Sequence, residues 1–244
     1  MAKIDDVHAP EADEPAYVET TFKLTGVPAF VETYAEVRPR VAAVAKPSFN
    51  CLVAGVGGQG AVLASRLVAA AWMAQGSFVR TAETIGMSQR GGSVTSHVRV
   101  AADAHSLPTS MIARHGANLV LAFEPGEAVR AFDLLAPTGA LVCSSRPVVP
   151  SAAATSGYNG EAQIAWLRET VDADRLAVLD VQALEDAGLS PKCLNVLLLG
   201  AAIGLGALPF GASELRRAMG ELMKPKLIPM NEQALELGIA LAQR

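Results

Sequence analysis

Paired cysteines, a basic patch and a membrane-length apolar run are all missing from these 244 residues, and each absence narrows the field. Cys51, Cys143 and Cys193 lie far apart with no C-x-x-C spacing, so no zinc or iron–sulfur ligand set is recognisable. Cys51 and Cys143 fall inside apolar, strand-like runs, where cysteine serves as a small hydrophobe. No disulfide framework is implied, which fits a reducing cytoplasm. Lys and Arg total 20 against 24 Asp and Glu, a net charge of −4. With no basic tract along the chain, a nucleic-acid partner is not expected. The greasiest stretch, 194–208, holds fifteen residues with three glycines, whereas about twenty apolar residues are needed to span a bilayer. It reads as a buried helix. The first nineteen residues are acidic and have no apolar stretch of the secretory kind, so a cytoplasmic protein is expected. Charged residues make up only 18% against 51% hydrophobic. That balance suits a surface partly covered by partner chains, although Ala-rich helices alone produce the same figure.

The chain divides near its one clear early punctuation, Lys46-Pro47-Ser48. Residues 1–20 are acidic, contain proline and carry few large apolar groups, so they are expected to be disordered or to drape over a partner. Residues 22–44 are more apolar, with room for a short helix over 29–37. This makes 1–48 an N-terminal extension and 49–244 the compact domain. From residue 49 the pattern alternates. Strands are expected at 49–54, 78–83, 93–100, 118–123, 140–144 and 177–181. Helices are expected at 61–74, stopped by Gly76, from Pro125 onward, and from Pro191 to the end with breaks near 209–211 and 224–226. The fold class that follows is α/β: a Rossmann-like, open, mainly parallel sheet with helices on both faces. Such sheets bind ligands outside the carboxyl ends of their strands.

Gly55, Gly57 and Gly60 match G-x-G-x-x-G directly after a strand and at the opening of a helix. The first glycine permits a tight turn, the second a close approach of backbone to phosphate, and the third close packing of helix on strand. The helix N-terminus adds unpaired N–H groups and a positive dipole. A turn that only packs the helix on the sheet would use the same residues. Glu83, at the end of the second expected strand, falls about where a nucleotide-binding fold places its ribose carboxylate. It equally suits the neighbouring loop or a partner chain.

The segment 83–99 is the most informative. Gly86, Gly91 and Gly92 loosen the backbone, and Ser88, Gln89 and Arg90 place a hydroxyl, an amide and a rigid fork of donors on one loop. That set suits an anionic or carbonyl-bearing ligand, or a docking surface. Together, GVGGQG at 55–60 and GMSQRGGSVTSHVR at 86–99 resemble the gamma-type subunit of 2-oxoacid:acceptor oxidoreductases. The likeness is strongest to the beta subunit of indolepyruvate ferredoxin oxidoreductase. It continues through ANLVLAFEP at 117–125 to NVLLLG at 195–200, and so covers roughly 50–205.

The resemblance implies an enzyme subunit that is inactive alone. Members of the family decarboxylate a 2-oxoacid on thiamine diphosphate, transfer the acyl group to coenzyme A, and pass two electrons through iron–sulfur clusters to ferredoxin or another acceptor. Thiamine diphosphate, Mg and the [4Fe-4S] clusters would belong to partner subunits, and an aryl 2-oxoacid such as indolepyruvate would be the substrate. Gly55, Gly57, Gly58, Gln59 and Gly60 become the coenzyme A loop, a role that agrees with a pyrophosphate at a helix N-terminus. Ser88, Gln89, Arg90, Gly91 and Gly92 become a second loop facing the catalytic interface, with Arg90 on a phosphate, a substrate carboxylate or a partner's loop. The extension of nearly fifty residues departs from the family pattern, in which the subunit begins close to its first strand.

Other polar residues invite functional roles and have simpler ones. His97 falls in a strand pattern, while His105 and His115 fall in polar loops without ligand or triad spacing. Glu124 and Asp180 stand at strand ends and are able to cap the helices that follow. Asn195 opens the greasy helix as a cap or a buried hydrogen bond. Trp72 and Trp166 lie on helix-like segments and are expected to pack. Two further readings remain open: a free-standing NAD- or FAD-binding Rossmann protein with Glu83 on the ribose, and a non-catalytic assembly module.

Overall fold

The computed structural model describes residues 48–86, 92–148 and 158–243, with the backbone of four short N-terminal strands. The chain separates into two units, Met1–Lys46 and Pro47–Arg244. In the first, Lys3–Val7 pairs antiparallel with Thr20–Lys23, and Tyr17–Val18 with Val41–Ala42. Within 1–20, expected to be disordered or to drape over a partner, these strands occupy 3–7, 17–18 and 20, and the other residues lie outside the described ones. The helix expected at 29–37 lies outside the described residues.

The second unit is built on six strands. They are β1 (Phe49–Val56), β2 (Phe78–Ile85), β3 (Ser93–Ala101), β4 (Ala117–Ala122), β5 (Leu135–Ser144) and β6 (Leu176–Leu179), in the spatial order β6-β5-β4-β1-β3-β2. β1, β4, β5 and β6 are parallel neighbours, and β3 runs antiparallel to both β1 and β2. The sheet is therefore mixed, with a single reversed strand. The apolar runs of β1 and β4 are explained by burial on both faces, the usual condition of parallel strands. Cys51 and Val53 enter one core with α1 (Ala61–Met73), α5 (Leu194–Gly204), α6 (Ala212–Leu222) and α7 (Ile228–Ala242). Leu52 and Ala54 enter the opposite core with α2 (Pro125–Ala131) and α3 (Gly160–Thr170). A short α4 (Gln182–Asp186) follows β6.

Cys51 and Cys143 are fully buried, and burial pushes the Cys51 thiol up to about 12. α5 is apolar on almost every side, and Leu194 to Ala202 are buried throughout. Its backbone touches that of α7, because Gly200 and Gly238 leave no room for a Cβ against Leu235 O and Leu197 O respectively. Trp72 packs between Phe49 and Phe210, at ring-centroid distances of 5.6 and 5.8 Å. Among the described residues no helix is long and apolar enough to cross a membrane.

Two expected boundaries shift. β5 begins five residues before the expected 140, since Pro137 and Gly139 interrupt the apolar pattern. Gly139 fits there because it lies against Ala117 O. The polar stretch from 84 is extended to Ile85 and closed by a hydrogen bond from Gly86 N to Ser93 O at 2.9 Å.

Candidate functional site

From β1 the chain moves toward β3 and β2, and from β4 toward β5 and β6, so the topology switches between β1 and β4. A crevice opens outside their carboxyl ends, where such sheets take ligands. The glycine loop lies there. A Cβ on Gly55 would stand 2.9 Å from Phe123 Cβ, so only glycine lets β1 and the end of β4 come this close. Gln59 bridges them: its Oε1 accepts from Val56 N at 2.7 Å, and its Nε2 donates to Phe123 O at 3.1 Å. Gly60 caps α1 with φ 88°, a left-handed conformation that favours glycine.

No side chain caps α1, and its first turn carries no acidic residue. The free N–H groups of that turn carry the positive end of the helix dipole. They face a cleft of about 460 Å³ lined by Gly58, Gln59, Gly60, Arg146, Lys192 and Asn195 among others. Arg146 follows β5, with only a loose contact to Glu185 at 4.0 Å. Lys192 comes from the turn before α5. Donors, dipole and two cations thus converge on one concavity, which suits a phosphate-bearing ligand.

The neighbouring helix start is built in the opposite way. Glu124 caps α2, its Oε2 accepting from Glu127 N at 2.9 Å, and Tyr158 OH donates to its other oxygen while accepting from Gly126 N. Both carboxylates are buried: Glu124 is 1% and Glu127 3% exposed. Burial raises the Glu124 carboxyl above its ordinary value, nearby Glu127 adds to the rise, and backbone N–H groups of Glu127, Val148 and Gly126 oppose it. Glu127 accepts from Ser93 Oγ at 2.7 Å and pairs with Arg130.

Of the predicted residues, Gly55, Gly57, Gly58, Gln59 and Gly60 gather at the cleft and its base. Gly92 joins them, because its carbonyl accepts from Gly57 N at 2.9 Å. Ser88, Gln89, Arg90 and Gly91 lie outside the described residues. Glu83 is not brought to the loop. β3 intervenes between β1 and β2, so Glu83 sits on an exposed edge strand paired with Ser96, two strand spacings (about 10 Å) from β1. His97 is buried and neutral in tendency, lowered by burial and by Arg99, and its Nδ1 accepts from Ile112 N at 3.2 Å. Asp180 Oδ1 accepts from Gln182 N at 2.9 Å. Trp166 stacks edge-on against Phe132 at 4.9 Å. Arg146 and Lys192 escaped the sequence reading, although Arg146 immediately follows a recognised strand end.

This architecture has known counterparts. The family model described as "Pyruvate ferredoxin/flavodoxin oxidoreductase" matches residues 50–241. The chain belongs to that family. It is 36% identical over 191 residues to the indolepyruvate oxidoreductase subunit IorB of Archaeoglobus fulgidus, covering 78% of this chain and 92% of that relative. Among solved structures it shares its fold with the gamma subunit of a keto/oxoacid ferredoxin oxidoreductase from Geobacter sulfurreducens, at TM-score 0.54 and 18% identity, covering 80% of this chain and 98% of that one. It also shares it with a 2-oxoglutarate:ferredoxin oxidoreductase from Magnetococcus marinus, solved with 2-oxoglutarate, coenzyme A and succinyl-CoA bound. There the TM-score is 0.57 and the identity 20%, over 81% of this chain and 31% of that longer one. Within the pyruvate ferredoxin/flavodoxin oxidoreductase family, then, this chain is a 2-oxoacid oxidoreductase subunit.

Proposed function

We propose that this subunit serves a thiamine-diphosphate-dependent complex that oxidatively decarboxylates indolepyruvate or another aryl 2-oxoacid, and that its own task is to hold coenzyme A. The observation that carries the reading is the uncapped start of α1, facing a cleft with Arg146 and Lys192 and no carboxylate in its first turn. A pyrophosphate there would accept hydrogen bonds from backbone N–H groups and meet two cations. Partner subunits would supply thiamine diphosphate, Mg and [4Fe-4S] clusters, and ferredoxin or another carrier would accept the electrons. When bound, thiamine diphosphate supplies the carbanion-stabilising chemistry of decarboxylation. Ser88, Gln89 and Arg90 are proposed to face the catalytic interface, supported by the anchoring of Gly92 to Gly57. For the N-terminal extension we propose a hold on a partner chain.

The test is coenzyme A titration of the complex purified with its native partners. Arg146→Ala should raise the Kd for coenzyme A about tenfold, the worth of one charge-assisted contact. Arg146 is exposed, so stability should change little. An unchanged Kd would overturn the assignment and favour a purely assembling module. The free-standing dinucleotide-binding reading would need Glu83 on a ribose, and Glu83 stands on the edge strand, two strands from β1.

A further inference from the structure

Beyond residue 46 the chain contains three lysines, Lys192, Lys224 and Lys226. All three line a single cleft of about 520 Å³. In a chain of net charge −4 this is a pronounced focusing of one residue type, and Lys192 comes from a segment some thirty residues before the Lys224-Pro225-Lys226 turn. None pairs with a carboxylate among the described residues. Their neighbours in the cleft are Leu222, Met223, Leu227 and Met230, three of which are conspicuously exposed: Leu222 45%, Leu227 45% and Met230 40%. An apolar slot with a cationic rim matches the two halves of a phosphorylated nucleoside, a flat base and an anion. Its volume falls within the range of about 300–1,000 Å³ usual for small-molecule sites.

This cleft is continuous with the one at the glycine loop, since Leu63, Lys192 and Asn195 line both. Asn195 is 3% exposed, and its Oδ1 accepts from Val196 N at 3.0 Å. Its Nδ2 has no protein partner among the described residues and stands 3.3 Å from where a Gly60 Cβ would be. Asn231, 7% exposed, donates through Nδ2 to Leu227 O at 2.8 Å, and its Oδ1 has no partner among the described residues. These two amide atoms open onto the cleft, where a ligand or water is able to complete their hydrogen bonds. Both line the same cavity.

We infer that this second cleft receives the nucleoside end of the ligand whose pyrophosphate occupies the glycine loop, and that Lys224 and Lys226 select for a phosphate on its ribose. The inference rests on the coenzyme A reading above. It makes the chain a discriminator between coenzyme A and its 3′-dephospho form, which differ by that phosphate alone. The methionines offer polarisable contacts to the base. Lys192, on the shared wall, would serve the pyrophosphate in either ligand.

The test compares coenzyme A with 3′-dephospho-coenzyme A on the assembled complex, wild type and Lys224→Ala/Lys226→Ala, by isothermal titration. Wild type should bind coenzyme A about tenfold or more tighter, the scale of a charge-assisted contact. The double variant should bring the ratio close to one by weakening coenzyme A alone. Lys192→Ala should weaken both ligands alike. Equal wild-type affinities, or a double variant that keeps the preference, would overturn the nucleoside-end assignment and leave the pyrophosphate reading standing. Failure of both ligands to bind the wild-type complex would overturn the two together.

Discussion

Two helices start side by side at the carboxyl ends of adjacent parallel strands, and the chain treats them in opposite ways. α2 begins with its own anion: Glu124 caps it, Glu127 sits in its first turn, and Tyr158 closes over the pair. α1 begins with glycine and nothing else. Both have the same dipole and the same orphan N–H groups. The difference teaches that a helix start becomes a binding site by omission. Where the sequence supplies a carboxylate the demand is met internally. Where it supplies Gly58 and Gly60 the demand is left for a visitor.

The strongest way to break this contrast is to pull the two strands apart. Gly55→Val would drive a side chain into Phe123 and should cost about 2–3 kcal/mol, the scale of overpacking in a tight core, as measured by urea unfolding. A change below about 0.5 kcal/mol would mean that the close approach of β1 and β4 is dispensable. Next in size is Glu124→Ala, which strips the acceptor from Glu127 N and Tyr158 OH and should cost about 1–2 kcal/mol. Glu124→Gln separates charge from hydrogen bonding. Because burial raises the Glu124 carboxyl, the folded chain holds that proton more tightly than the unfolded chain does. That contribution is full below the unfolded value and is lost as pH rises through the folded one. Glu124→Gln should therefore flatten the fall in stability with rising pH, and an unaltered pH profile would argue against it. The smallest effect sharpens the comparison from the other side. Gly58→Asp should give α1 an anion of its own and stabilise the chain by about 0.3–1 kcal/mol relative to Gly58→Asn, which shares the same backbone strain. Coenzyme A binding should weaken more in the Asp variant than in the Asn variant.

Much of the frame could be read from residue order. β1, α1, β3, β4 and α5 announce themselves because each buries a whole face, so the apolar period survives in the sequence. α4 did not, being five residues long with one buried side chain, Leu184. The loop from Gly55 to Gly60 was legible because its chemistry is local. Its partners were not. Arg146, Lys192, Lys224 and Lys226 reach the same region through the crossing of β5, β6 and the C-terminal helices, and no local pattern marks them. The scarcity of lysine after residue 46 was available as a signal, but scarcity names residues without saying that they meet. Glu83 shows the converse. Its linear position suited a ribose, the neighbouring loop or a partner chain alike, and only the sheet order, with the reversed strand β3 inserted between β1 and β2, shows that it stands two strands from β1.

The main-chain contact between α5 and α7 leaves no slack. With Gly200 against Leu235 O and Gly238 against Leu197 O, neither helix is able to slide without a backbone clash. Asn195 stands at the start of one member of this pair and Met230 near the start of the other. The wall they form behaves as one slab, preset before any guest arrives. Recognition in the proposed cleft would then be a matter of shape already cast, with the glycine turn across from it as the part able to adjust.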